Sequence, residues 1–383
     1  MSSPAAQAPA LAGTEQHPHA RLVLGAGLAS GAPSHAYLFH GPSGTGKRTA
    51  ARALAAELLA EGAPDPDAVR RRVNVGSHPD LTWVRPSGAH VMRVDDVAGP
   101  VVSAATRTPF EALRRVFVLE RVETMNDEVA NRMLKTLEEP ASFVHLILLT
   151  GALGRVIETV VSRCQLVRFD PLPAERIARA LEEEGIESRR AVACARLALG
   201  DASRARLLAS EAGEALRRHA ERIVAAALAP EEVTATSEEP WRPLLALADA
   251  RRTEVEGELS ARGAKRLELE PKGRERRAIE RELEESAKRD GRRARTEVLE
   301  LGLELAALLL RDLACAADGA DAAVLAVDRP ELLAGAAGRD PRRLREALER
   351  CEDVRRSLVL NVNEELALSA LSFRLGRLVS ARG

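Results

Sequence analysis

Residues 36–48 read AYLFHGPSGTGKR, and this stretch decides the fold. Ala36–His40 is a short apolar run with two aromatic residues, which predicts a buried strand. It passes directly into Gly41, Pro42, Ser43, Gly44, Thr45, Gly46 and Lys47, the pattern G-x-x-x-x-G-K. Glycines at these positions let backbone N–H groups curl around phosphate oxygens. The helix expected next, over Thr49 to Leu59, turns its positive end toward them. Lys47 is the side chain that reaches the outer phosphates. The expected nucleotide-binding residues are therefore Gly41, Ser43, Gly44, Thr45, Gly46 and Lys47, with Arg48 and Thr49 behind them, and the expected ligand is ATP or ADP.

One position departs from the pattern. The residue after the lysine is ordinarily Ser or Thr, whose hydroxyl binds Mg²⁺. Arg48 stands there instead, and a guanidinium has donors only. Thr49 lies about 100° further round the helix and points elsewhere. Nucleotide binding is compatible with this change, whereas Mg²⁺-dependent hydrolysis is disfavoured.

Working outward from the loop, Leu81–Val84, Val116–Leu119, His145–Leu149 and Gln165–Phe169 read as further strands. Between them, Asp127–Glu138 places Val129, Met133, Leu134 and Leu137 at helical spacing. Strand and helix in alternation imply a parallel five-stranded sheet with helices on both faces, an α/β P-loop domain. After Pro171 and Pro173 the chain is almost entirely helix-forming. Ala174–Gly185 and Arg189–Leu199 are short helices, Pro230 and Pro240 mark a break, and Val298–Leu313 suits a buried helix. Pro341–Cys351 and Asn363–Leu378 are amphipathic. Arg251–Arg295, dense in Arg, Lys and Glu, reads as a solvated helical arm, and its mixed charge does not single out DNA.

Composition narrows the function. The chain has 383 residues and a formal net charge of −1, so any nucleic-acid contact must come from a local patch. Aromatic residues make up only 2%, too few for a base-stacking platform. The longest apolar stretch, Leu301 to Leu313, is broken by Glu304 and Arg311, so no membrane span is expected. Met1–Ala20 lacks the basic and apolar regions of a secretory signal and reads as disordered. Cys164, Cys194, Cys315 and Cys351 are widely spaced, which indicates neither a disulfide framework nor a zinc site and suits a reducing cytoplasm.

An ATPase of this class needs acids at the end of a second strand, one to hold Mg²⁺ and one to orient the attacking water. Val116–Leu119 is followed by Glu120, Arg121, Val122 and Glu123. Glu120 is either a replacement for the metal-holding acid or one half of a surface pair with Arg121. Arg121 stands where the water-orienting acid belongs, and a cation cannot serve as that base.

Three segments now stand in order: SHAYLFHGPSGTGK (Ser34–Lys47), NRMLKTLEEP (Asn131–Pro140) and SRC (Ser162–Cys164). Together they resemble the AAA+ clamp-loader family of the bacterial DNA polymerase III holoenzyme. Lys47-Arg48, the missing acids and the tail NVNEELALSALSFRL (Asn361–Leu375) resemble its delta-prime branch rather than its ATP-hydrolysing gamma/tau branch. The resemblance implies an AAA+ domain over residues 21–170, a helical lid over 171–225 and an all-α collar over 226–383, with the charged insert at about 251–295. It implies a hetero-pentamer with gamma/tau and delta subunits that opens a sliding clamp and closes it around primed DNA. Arg163 then matches the arginine finger that reaches a neighbouring subunit's γ-phosphate. Thr150 matches the first sensor. Arg204, within GDASRA (Gly200–Ala205), matches the second sensor, a plain helix-surface arginine being the equal alternative. Many relatives carry a four-cysteine zinc module in the stretch equivalent to Ala51–Asp80, which here lacks cysteine, so no zinc is expected. Cys164 reads as a small buried residue rather than a reactive thiol.

Three readings follow. The leading one is a non-hydrolysing subunit that activates its neighbour. The second is a self-sufficient gamma/tau-like ATPase using Glu120 and Thr49 for Mg²⁺ and Glu123 as base. The third is a structural protein that has lost nucleotide altogether.

Overall fold

A computed structural model describes residues 11–87, 91–229, 239–268, 273–358 and 362–379. The chain divides into two units, Met1–Leu172 and Pro173–Gly383. The first runs α1 (Pro18–Ala29), β1 (Ala36–His40), α2 (Lys47–Ala60), α3 (Pro66–Val75), β2 (Leu81–Val84), α4 (Val94–Val97), β3 (Arg115–Glu120), α5 (Asp127–Glu138), β4 (Val144–Thr150), α6 (Glu158–Val161) and β5 (Gln165–Arg168). All five strands join one parallel sheet in the order β2-β3-β4-β1-β5.

Parallel strands covered on both faces read as unbroken apolar runs, and every residue of β4 is buried. Successive side chains alternate between the faces. Tyr37, Phe39, Val116, Val118 and Ile147 pack with Leu24, Leu54 and Leu58 of α1 and α2. Leu38, Phe117, Leu119, Leu146 and Leu148 pack with Val97, Met133 and Leu137 on the opposite side. Asn126 caps α5, its side-chain oxygen accepting from Val129 N at 3.0 Å.

Part of the N-terminal stretch differs from expectation. Residues 1–10 lie outside the described residues. Residues 11–20, expected to be disordered, are packed: Leu11, Thr14 and His17 are buried, and Pro18 opens α1. The reason is tertiary. Gly13 lies so close to α2 that a Cβ there would sit 2.8 Å from Ala50 N. Small residues that look featureless in composition are what such a close approach requires.

The second unit is helical: α7 (Ala174–Glu183), α8 (Ser188–Leu197), α9 (Ala202–Ala209), α10 (Glu211–Leu228), α11 (Arg242–Glu268), α12 (Arg274–Ala317), α13 (Pro330–Ala334), α14 (Pro341–Ser357) and α15 (Glu364–Val379). The charged stretch 251–295 falls on two helices that pack antiparallel, with residues 269–272 outside the described residues. Gly302 faces Leu244, Gly291 faces Glu256 and Gly263 faces Leu283. A Cβ on Gly291 would lie 2.4 Å from Glu256 Cγ, so glycine lets the pair close. No described helix is long and apolar enough to cross a membrane.

One buried histidine makes the first unit sensitive to acid. His145 lies inside β4 with no exposed surface. Its Nε2 is 2.6 Å from Arg114 Nη1, and a guanidinium only donates, so Nε2 carries the lone pair. Nδ1–H donates to Ser34 O at 2.9 Å. Burial pulls the ring from 6.5 down to about 4. Between those values the unfolded chain binds the extra proton, so stability falls as pH drops through this window, by about 2–3 kcal/mol. Denaturant midpoints measured from pH 7 to 4.5 should show a shallower decline for His145→Asn than for wild type. Identical slopes would remove His145 as the cause.

Candidate nucleotide-binding site

The phosphate loop leaves the C-terminal end of β1, which lies between β4 and β5. Gly41, Gly44 and Gly46 have φ of 140°, 66° and 91°. These are glycine conformations. Gly41 is also sterically fixed, because a Cβ there would lie 1.9 Å from Phe169 O. The adjoining backbone is held by Phe169 N, which donates to His40 O at 2.8 Å. Thr45 Oγ1 donates to Pro42 O at 2.9 Å. Lys47 opens α2 nearly buried, and its ammonium donates to Gly41 O at 2.5 Å and also to Pro42 O. The lysine is thus folded over the loop it is expected to serve.

Glu120, at the end of β3, is not half of a surface pair with Arg121. Its side chain is 3% exposed. Arg48 Nη2 meets Oε2 at 2.5 Å, Trp83 Nε1 donates to Oε1 at 2.7 Å, and Arg85 Nε meets Oε1 at 3.3 Å. Arg52, one turn beyond Arg48, stacks its guanidinium 4.9 Å over the Trp83 ring. Arg121 adopts a left-handed conformation, φ 55°, as the chain turns sharply off β3. Its carbonyl accepts from Thr124 N at 2.9 Å and Thr124 Oγ1 at 2.7 Å. Glu123 follows on that turn, with Oε2 buried and lacking a hydrogen-bond partner.

A divalent cation at the head of α2 needs an oxygen from the residue after Lys47 and a carboxylate from the neighbouring strand end. Arg48 supplies no oxygen, and its positive charge stands on the carboxylate that would do so. The residues present therefore do not fit Mg²⁺. Among the described residues, no three His, Cys, Asp or Glu side chains gather into a metal site.

Thr150 ends β4 opposite His40 in the sheet register, so it lies beside the start of the loop. It is buried, and its Oγ1 accepts from Ala152 N at 3.0 Å. A Cβ on Gly151 would come within 3.9 Å of Ser43 Oγ, so the end of β4 and the loop adjoin. Thr49 is exposed on α2, and Gly13 packs against it.

His17 belongs to the same site although its sequence context gave no signal. Its Nε2–H donates to Thr45 O at 2.6 Å, and its ring lies 4.9 Å from that of Phe169. Burial lowers its pKa, and its Nδ1 is buried without a partner.

Arg163 follows α6. Its Nε donates to Glu138 Oε1 at 2.7 Å, and Nη1 to Thr159 O at 2.8 Å. A carboxylate from the NRMLKTLEEP segment thus holds it at the surface. Burial pushes the Cys164 thiol up to about 12, so it stays protonated at neutral pH. Arg204 belongs to the second unit, where Nη1 donates to Glu304 Oε1 at 2.7 Å while Nε and Nη2 are buried without partners.

A parallel sheet in this order, with a glycine-rich phosphate loop leaving the strand between β4 and β5, makes the first unit an AAA+ P-loop domain. Residues 16–173 match the sequence family described as DNA polymerase III, delta subunit. The chain is 34% identical over 157 residues to DNA polymerase III subunit delta' of Bacillus subtilis, covering 40% of this chain and 47% of that protein. It is 37% identical over 166 residues to the Pseudomonas aeruginosa protein of the same description, covering 40% and 50%. Against DNA polymerase III subunit tau of Bacillus subtilis, identity is 31% over 150 residues, covering 38% and 26%. Over the matched span the chain is similar to the delta-prime subunits of bacterial DNA polymerase III. It spans about half the length of those curated relatives.

The contacts of Glu120 give a measurable expectation. Glu120→Gln removes the charge that Arg48 and Arg85 share. Both arginines are more than half exposed and stay hydrated, so the loss should be at the modest end for a charged network, about 1–2 kcal/mol. A lowered urea midpoint at unchanged m-value is the expected result. A midpoint equal to wild type would show that the network contributes nothing to stability.

Proposed function

We propose that the chain is a clamp-loader subunit of DNA replication that binds nucleotide without hydrolysing it and lends Arg163 to a neighbouring ATPase subunit. The observation that carries the first half is the ion pair between Arg48 and Glu120. It puts a guanidinium on Glu120, the acid that ends β3, and Arg121 follows where a base is needed. The second half is supported by Arg163, held at the surface by Glu138 rather than directed into the core of its own unit. A guanidinium supplied from outside stabilises charge developing on a transferred phosphoryl group.

In this reading ATP or ADP sits on the loop from Gly41 to Gly46, with Lys47 released from the loop carbonyls toward phosphate oxygens. Thr150 faces the nucleotide from β4. Arg204 acts as second sensor only by leaving Glu304. Residues 171–225 act as lid and 226–383 as collar, joining gamma/tau and delta subunits in a hetero-pentamer in the cytoplasm. The sliding clamp and primed DNA are handled through that complex.

The purified chain should release no phosphate from ATP above background, with or without Mg²⁺. Arg163→Ala should leave assembly with gamma/tau, delta and clamp proteins intact. It should cut ATP turnover at the one affected interface by tenfold or more, since a supplied arginine is worth roughly 10³–10⁵ in related phosphoryl transfers. Turnover by the chain alone, abolished by Lys47→Ala, would instead support the gamma/tau-like ATPase reading.

A further inference from the structure

The failure of the site to fit Mg²⁺ leads to a specific expectation about its ligand. We propose that this chain binds nucleoside di- or triphosphates free of divalent metal, with the Arg48 guanidinium standing where the cation would otherwise be. The inference rests on the reading of the loop as a nucleotide site and specifies the form of nucleotide that the site takes.

Two features of the site support it. The first is geometry. Arg48 is the second residue of α2, directly after Lys47, so it emerges at the head of the helix that closes the phosphate loop. Its guanidinium is anchored by a buried carboxylate at 2.5 Å, yet its side chain is 66% exposed. One nitrogen is committed to Glu120. Nε and Nη1 have no partner among the described residues. A planar fork fixed at one corner and open at the others is suited to phosphate oxygens.

The second feature is charge. Arg48 and Arg85 meet Glu120, Arg52 stacks on the Trp83 ring that donates to it, and Lys47 precedes Arg48, so four cations stand against Glu120 and the Glu123 of the following turn. A metal-free nucleotide carries more negative charge than its magnesium complex, and the excess of cations matches the metal-free form. Bringing Mg²⁺ to the same place would set it against Arg48 at short range, with Glu120 already shared among three donors. Like charges at contact distance in a partly buried site repel by several kcal/mol.

The decisive experiment is equilibrium binding of ATP and of ADP to the full chain by calorimetry, in EDTA and in excess Mg²⁺. The expected result is saturable binding in EDTA, with a Kd that Mg²⁺ leaves unchanged or weakens. Arg48→Thr restores a hydroxyl and frees Glu120. It should weaken binding in EDTA by at least about tenfold, the value of one charge-assisted phosphate contact, and make the remainder Mg²⁺-dependent. Arg48→Lys, which keeps charge without the fork, should retain metal independence at reduced affinity. Tightening of wild-type binding by tenfold or more on adding Mg²⁺ would overturn the proposal, and so would the absence of saturable binding in EDTA. The wild-type comparison needs no variant to fold. Either failure leaves the role of Arg163 standing, because turnover of the assembled loader with Arg163→Ala is read separately.

Discussion

A carboxylate closed off from water at the end of a strand must be met by positive charge or hydrogen bonds, and Glu120 is met by Arg48, Trp83 and Arg85. An unpaired charge there would cost several kcal/mol. Because Arg48 adjoins Lys47, the contact that satisfies Glu120 also pins the first turn of α2 to β3. Through Trp83 and Arg85 it reaches β2 as well. The head of α2, the end of β3 and the edge strand β2 are thus fixed by one acid.

The loop is enclosed from two further sides. Phe169, just past β5, comes so near Gly41 that no side chain fits. The segment from Leu11 to His17 closes over α2, with Gly13 against Ala50 and His17 bonded to Thr45 O. Glycine is required at Gly41 and Gly13 for the same reason: a positive φ combined with backbone contact leaves no room for a Cβ.

The second unit is held differently. Few aromatics are available, and its interior combines leucine and alanine with forked arginine pairs. Arg217, 3% exposed, meets Asp328 at 2.6 Å, and Arg329 joins Glu214 and Glu221. Asp312 is fully buried, accepting from Leu325 N, Ala326 N and Arg311. Burial raises its pKa even so. These ties join α10 and α12 to the segment after α12, and Arg204 adds a link from α9 to α12. The arginine matched to the second sensor is therefore engaged as a structural contact inside its own unit.

The sequence by itself determined the strands, the loop and the loss of an oxygen ligand after Lys47. Each of these is local: a strand is marked by a short apolar run, a phosphate loop by glycines at fixed spacing, and a missing ligand by the chemistry of one side chain. Even α5 was legible from Val129, Met133 and Leu137. Only the tertiary structure decided what Arg48 touches, since Glu120 lies 72 residues away, and what else meets Glu120, since Trp83 lies on β2 and Arg85 just past it. The same holds for Glu138 beneath Arg163, His17 over the loop and Glu304 beside Arg204. Residue type announces that a charge needs a partner, but which partner it finds depends on how strands and helices far apart in sequence come together.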